Sequence, residues 1–167
     1  MSHIAPTTAP TTPTTDAAYE IESLTAEQAA VLRSRGGAVY IADTKPGFPC
    51  RRCLRDAEIG ERLILVSHDP FSGSSPYRSA SPIFLHVDDC APTSTVPAPP
   101  EQMTVRQLSV RAFDADEMMI DATVIDGADL DATLRSLFDD EAADRIHIHF
   151  AQRGCFAGVA RRVELVD

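Results

Sequence analysis

Tryptophan is absent from the 167 residues, and aromatic side chains make up only 6% of them. The core must therefore be aliphatic. Lysine is nearly absent too: Lys45 stands alone, and every other side-chain cation but histidine is an arginine. Four cysteines are too few for a disulfide scaffold. No apolar run approaches the ~18 residues that a membrane span requires, so no membrane-spanning helix is expected. The first residues carry neither the basic flank nor the apolar stretch of a signal peptide, so a cytoplasmic protein with reduced thiols is expected. Gly-x-Gly-x-x-Gly, a Walker loop and Gly-x-Ser-x-Gly are all missing. Nucleotide binding and a serine elbow thus lack a warrant, and no cofactor is assigned. Positive charge is scarce: 15 basic residues face 25 acidic ones, for a net charge of −10. Such a surface repels phosphate backbones and argues against nucleic acid as a partner.

What is present reads as one globular domain, with 44% hydrophobic and 24% charged residues. Residues 1–18, rich in Pro and Thr, read as a solvated tail, leaving 19–167 as a single domain. Thr25 and Gln28 form a capping box for a first helix that Gly36-Gly37 ends. Short strands are expected at 38–42, 62–67 and 83–87, the second being the continuous run Leu63-Ile-Leu-Val66. Residues 104–113 and 118–125 read as a hairpin with Leu108, Val110, Ile120, Ala122 and Val124 inward. Asp129 is placed to cap a helix carrying Leu130, Leu134, Leu137 and Phe138 on one face. Two strands, 145–151 and 155–165, close the chain around a turn at Gln152-Arg153-Gly154. The fold class is α+β: a mostly antiparallel mixed sheet with two or more helices packed against it.

The chemistry concentrates at residues 45–55, Lys-Pro-Gly-Phe-Pro-Cys-Arg-Arg-Cys-Leu-Arg, where four cations and no anion interrupt an acidic chain. Nearby cations favour thiolate over thiol, which makes Cys50 a candidate nucleophile. The same arginines could grip a carboxylate or phosphate, or could simply pair with Asp56, Glu58 and Glu61 downstream. Cys50-x-x-Cys53 followed by His86-Val-Asp-Asp-Cys90 has the spacing of a Cys3His zinc site. Dithiol redox and plain core packing are its alternatives, and no residue is committed to a metal. Ile146-His147-Ile148-His149-Phe150 alternates strictly, so the two imidazoles share the strand face opposite the apolar residues. They are candidate bases, or else polar residues on a solvent-facing surface. The loop Ser75-Pro-Tyr-Arg-Ser79 offers Tyr77 and Arg78 as binding groups beside Arg51.

Five strings together resemble a bacterial family of unassigned function, DUF1203. They are Gly47-Phe-Pro-Cys-Arg-Arg-Cys-Leu54, Gly60-Glu-Arg-Leu-Ile-Leu65, Ser75-Pro-Tyr-Arg78, Ser81-Pro-Ile-Phe-Leu-His86 and His147-Ile-His-Phe-Ala-Gln-Arg-Gly-Cys155. Arg161-Arg162 follows them. The chain departs from that pattern at Cys53, where members commonly carry Ser, and at Ser81, where Gly is usual. The resemblance implies a shared fold and a shared set of polar residues, and it implies no activity. Two function classes stay open. One is a protein or enzyme that binds a small anion in a pocket of Cys50, Arg51, Tyr77, Arg78, His147 and His149. The other is a noncatalytic interaction module, stabilised by a zinc site at Cys50, Cys53, His86 and Cys90.

Overall fold

The computed structural model describes residues 19–92 and 98–163. The expected tail at 1–18 and the middle of the Pro- and Thr-rich connection at 91–100 lie outside them. The elements run β1 (Tyr19–Glu22), α1 (Ala26–Ser34), β2 (Ala38–Ile41), β3 (Arg62–His68), β4 (Ser81–His86) and α2 (Glu101–Thr104). They continue with β5 (Gln107–Phe113), β6 (Met119–Asp126), α3 (Leu130–Leu137), β7 (Arg145–Phe150) and β8 (Phe156–Arg162). The α+β class holds, but the sheet divides in two. A five-stranded sheet has the order β1-β8-β7-β5-β6 and a three-stranded one β2-β3-β4. Every pairing between these strands is antiparallel. The division follows from the chain's path: β2, β3 and β4 are consecutive, and a long connection separates His86 at the end of β4 from β5, where the chain returns to the sheet that holds β1. The helices are short. β1 and α2, four residues each, are too brief for hydrophobic periodicity to announce them.

Helix α1 starts as its sequence dictates. Thr25 Oγ1 accepts from the Gln28 backbone N–H, and the Gln28 side chain accepts from the Thr25 N–H. Gly36, at φ +74°, closes it in the left-handed conformation that favours glycine. Asp129 does sit at the start of α3, but its side chain makes no capping bond. Its carbonyl instead accepts from Thr133 Oγ1 at 2.9 Å, because a 3₁₀ turn at Gly127–Asp129 leads into the helix.

Two cores result. One face of the large sheet buries Leu108, Val110, Ile146 and Ile148 against Leu130, Leu134 and Phe138 around α3. Each such aliphatic side chain contributes about 1.5–3 kcal/mol by leaving water. The second core lies between the small sheet, α1 and the loop after β2, and gathers Leu63, Ile83, Leu85, Ala29, Leu32, Cys50 and Cys53. The large sheet joins it through Phe156. A bulge makes that possible: His149 pairs with Phe156 and Ile148 with Gly158, so Ala157 is the extra residue. Phe156 and Val159, which strict alternation would separate, thereby point to the same face, and Cys155 does not share a simple strand face with Val159.

The hairpin departs from expectation. Leu108 and Val110 are fully buried, but Ile120, Ala122 and Val124 are exposed, Val124 to 59%. Their strand β6 is the sheet edge, and Val110 pairs with Thr123 rather than with an apolar residue. A register irregularity at Phe113 shifts the parity of β6, and a one-residue shift turns every side chain to the opposite face.

Candidate metal centre

The loop between β2 and β3 is cinched before it presents its cysteines. Asp56 accepts from the Gly47 N–H at 3.1 Å and takes both arms of Arg106 at 2.8 and 2.7 Å. Inside this frame the Cys50 N–H reaches the Arg55 carbonyl at 3.0 Å, and the Leu54 N–H reaches the Cys50 carbonyl at 3.1 Å. Leu54 takes φ +56° to complete the turn, which puts both thiols on its inner side. The Arg51 N–H then bonds the Phe84 carbonyl at 3.0 Å and fastens the turn to β4.

His86, the last residue of β4, and Cys90 beyond it arrive from the other side. Arg33 of α1 holds their connection: its Nε donates to the His86 carbonyl at 2.8 Å and its Nη2 to the Asp88 carbonyl at 3.3 Å. Cys50 Sγ lies 3.7 Å from Cys90 Sγ, and Cys53 Sγ lies 3.6 Å from His86 Nδ1. All four donor atoms fall within 4.8 Å of one another. None of the cysteines is in a disulfide. Cys50 is 0% exposed and Cys53 2%. Hydrogen bonds from Cys53 and Cys90 push the Cys50 thiol down, while those two thiols are themselves pushed up by their bonds to Cys50. The other ring nitrogen of His86 donates to Glu61 Oε2 at 2.9 Å. Glu61 in turn takes two bonds from Arg55, at 3.1 and 3.2 Å, and one from the Glu58 N–H at 2.8 Å. Those bonds, Arg55 first, hold its carboxyl at about 2.

The remaining predicted residues lie elsewhere. Arg51 turns away from Cys50. Its Nε donates to the Phe156 carbonyl at 2.7 Å, Nη1 to the Pro49 carbonyl and Nη2 to Cys155 Sγ at 3.2 Å. At 2% exposure, with those bonds made, it is an internal tie and presents nothing to an outside anion. Arg78 pairs with Asp69 at 2.6 Å and staples its own loop. Tyr77 is exposed, its ring against the edge of Phe113 with centroids 5.9 Å apart and its backbone N–H donating to Ser75 Oγ at 3.1 Å. His147 and His149 do share a strand face, as their alternation requires, but both rings are buried and not solvated. His147 is 0% exposed between Phe71 and Phe113, with ring centroids at 4.8 and 4.7 Å. His149 is buried beside Phe156. The single pocket expected to gather Cys50 with the late histidines thus resolves into two neighbourhoods built from different side chains.

A family model described as a protein of unknown function, DUF1203, matches residues 47–162. The chain belongs to the DUF1203 family. No curated protein and no solved structure matches it. The matched stretch includes all four side chains of this chain's Cys/His cluster. Glu61 was visible in the sequence only as one of three acids able to neutralise the arginines. Its second contact, to His86, spans two strands and leaves no sequence signal. Pairing did neutralise part of the cationic run, through Arg55–Glu61 and Lys45–Glu58.

Proposed function

We propose that this DUF1203 protein is a noncatalytic module whose second core is built on a zinc ion held by Cys50, Cys53, His86 and Cys90. The observation that carries the reading is the spacing of the four donors. Tetrahedral zinc, with bonds of about 2.3 Å to sulfur and about 2.0 Å to nitrogen, sets its ligands about 3.6–3.8 Å apart. Two of the donor pairs, at 3.7 and 3.6 Å, have that spacing, and all four donors lie within 4.8 Å of one another. Three further features support it. The Nδ1 of His86 faces the cysteines while its Nε2–H is held by a carboxylate, which is how metal-bound imidazoles are oriented. A dication on three thiolates and a neutral imidazole carries one net negative charge. Arg51, buried without a carboxylate, lies next to Cys50 in the chain and supplies a compensating cation. Four protein donors also leave no open position, which is the mark of a structural rather than a catalytic site.

Cys53, His86 and Glu61 form a line that could be read as nucleophile, base and orienter. Burial of Cys50 and Cys53, at 0% and 2% exposure, favours ligation over nucleophilic attack.

Elemental analysis of the purified full chain should find about one zinc per protein, and cobalt should substitute with thiolate charge-transfer bands. Glu61→Gln keeps all four ligands yet should weaken zinc binding roughly 10- to 100-fold. A chain that folds with its native Tm, holds no metal and takes up neither ion would end the proposal.

A further inference from the structure

The face of the large sheet that carries the two histidines has its own charge arrangement. Register places Ser109 beside His149 and Arg111 beside His147 across β5 and β7. On the other side, Ala122 lies opposite Arg111 and Val124 opposite Ser109, both exposed and apolar. Arg111 is half-buried on a central strand. Its Nε donates to Ser109 Oγ at 3.2 Å, and no carboxylate meets its guanidinium among the described residues. Most arginines of this chain, by contrast, pair with an acid or a carbonyl. His149 donates through Nδ1 to the Gly154 carbonyl at 3.2 Å, which fixes the tautomer and leaves Nε2 free.

We propose that Ser109, Arg111 and His149 form a binding site for a small oxyanion, with the guanidinium as its principal contact and the Ser109 hydroxyl as a second donor. An unpaired guanidinium on a rigid strand presents its donors in the planar fork that matches a carboxylate, phosphate or sulfate. The surroundings leave the charge for a ligand to neutralise. The buried Arg51 acts on His149 as a further cation, the His147 ring lies 6.4 Å away on the same strand, and β8 contributes the Phe156 ring beside His149. His68, at the end of β3, packs against that Phe156 ring at 5.3 Å between centroids. Arg145 and Glu117 are already paired with each other, at 3.0 Å. The site shares no side chain with the zinc cluster and does not depend on it. It also differs from the cleft of about 1130 Å³ beside Arg55, whose lining includes Glu20, Glu22 and Glu101 and whose cations Lys45 and Arg55 are paired.

Binding is coupled to a proton. Burial holds His149 down at about 4, with Arg111 pushing the same way. Neutral His149 turns a lone pair, not a donor, toward an anion at Nε2. A bound anion favours the imidazolium, so the bound pKa lies above the free one. Affinity therefore rises as pH falls through the bound pKa and levels off below the free value.

Sulfate, which does not titrate in this range, is the probe. Calorimetric titration of the full-length chain should show binding that tightens from about pH 8 to about pH 5. Arg111→Gln should weaken it roughly ten- to a hundredfold. Histidine-resolved NMR titration of the unmodified protein should show the His149 pKa moving up when sulfate is added, a readout that requires no variant to fold. Sulfate binding that is equal in the wild type and Arg111→Gln, or a His149 titration indifferent to sulfate, would overturn the site.

Discussion

His147 is the least satisfied residue of the described structure. It is fully enclosed, and neither ring nitrogen has a hydrogen-bond partner among the described residues. Burial, with His149 and Arg145 adding to it, holds His147 down at about 3. The sign of its effect on stability follows. The unfolded imidazole binds a proton below about pH 6.5 and the folded one does not. Each unit of pH lost between about 6.5 and 3 therefore costs about 1.4 kcal/mol for this residue alone. Replacing it with an apolar side chain of similar volume removes both the unpartnered nitrogens and the titration. His147→Met should match or exceed the wild type in urea unfolding at pH 7. It should also lose less stability than the wild type between pH 7 and pH 5. Equal pH dependence in the two proteins would show that His147 is not the titrating group. The alternation Ile-His-Ile-His-Phe displayed the shared face of these imidazoles directly. It could not display what covers that face, because Phe71 and Phe156 arrive from other elements.

At the scale of the element, legibility depended on how strongly one face is buried. β3, β4, β7 and β8 were readable because they are apolar over most of their length and flanked by turn residues. β6 alternated just as clearly, yet its apolar set faces outward. The turn before it runs from Asp114 to Met118 with Glu117 at φ +60°, and the irregularity that follows sets the parity. Nothing in a period-2 pattern encodes such a shift. The energetic consequence is a contrast between paired strands. Leu108→Ala should cost about 2–5 kcal/mol in chemical denaturation. Val124→Thr, on the exposed face, should stay within about 0.5 kcal/mol. Comparable losses at the two positions would restore the inward reading of β6. The Cys/His cluster was half-legible in the same sense. Its spacing stood in the sequence, but the meeting of a turn at 50–53 with the end of β4 is a tertiary fact.

Over the whole molecule, two cores of unequal kind share one chain. The first is an ordinary aliphatic layer on the large sheet, centred on β5, β7 and α3. The second packs a three-stranded sheet and one short helix, and two of its buried side chains are proposed zinc ligands. Removing zinc should therefore loosen the molecule unevenly. In hydrogen exchange after chelation, amides of β3 and β4 should lose protection about tenfold or more, while those of β5 and β7 stay close to their starting values. Uniform loss across both sheets would mean that the zinc ion stabilises the fold as one cooperative unit. No helix among the described residues is long and apolar enough to cross a membrane.

The pairing of β1 with β8 joins Tyr19 to Arg162, nearly the whole described chain apart, whereas β2, β3 and β4 are complete by His86. During synthesis the two sheets must therefore finish at very different times. The small sheet and all four proposed zinc ligands emerge while β5 to β8 are still unmade, so on that proposal this lobe could take up its ion early. β1 meanwhile leaves the ribosome first and waits longest, since its partner strand is the last to appear. Such distant pairing is entropically slow to form. The return of β1 to close the edge of the large sheet is therefore expected to be among the last steps of folding.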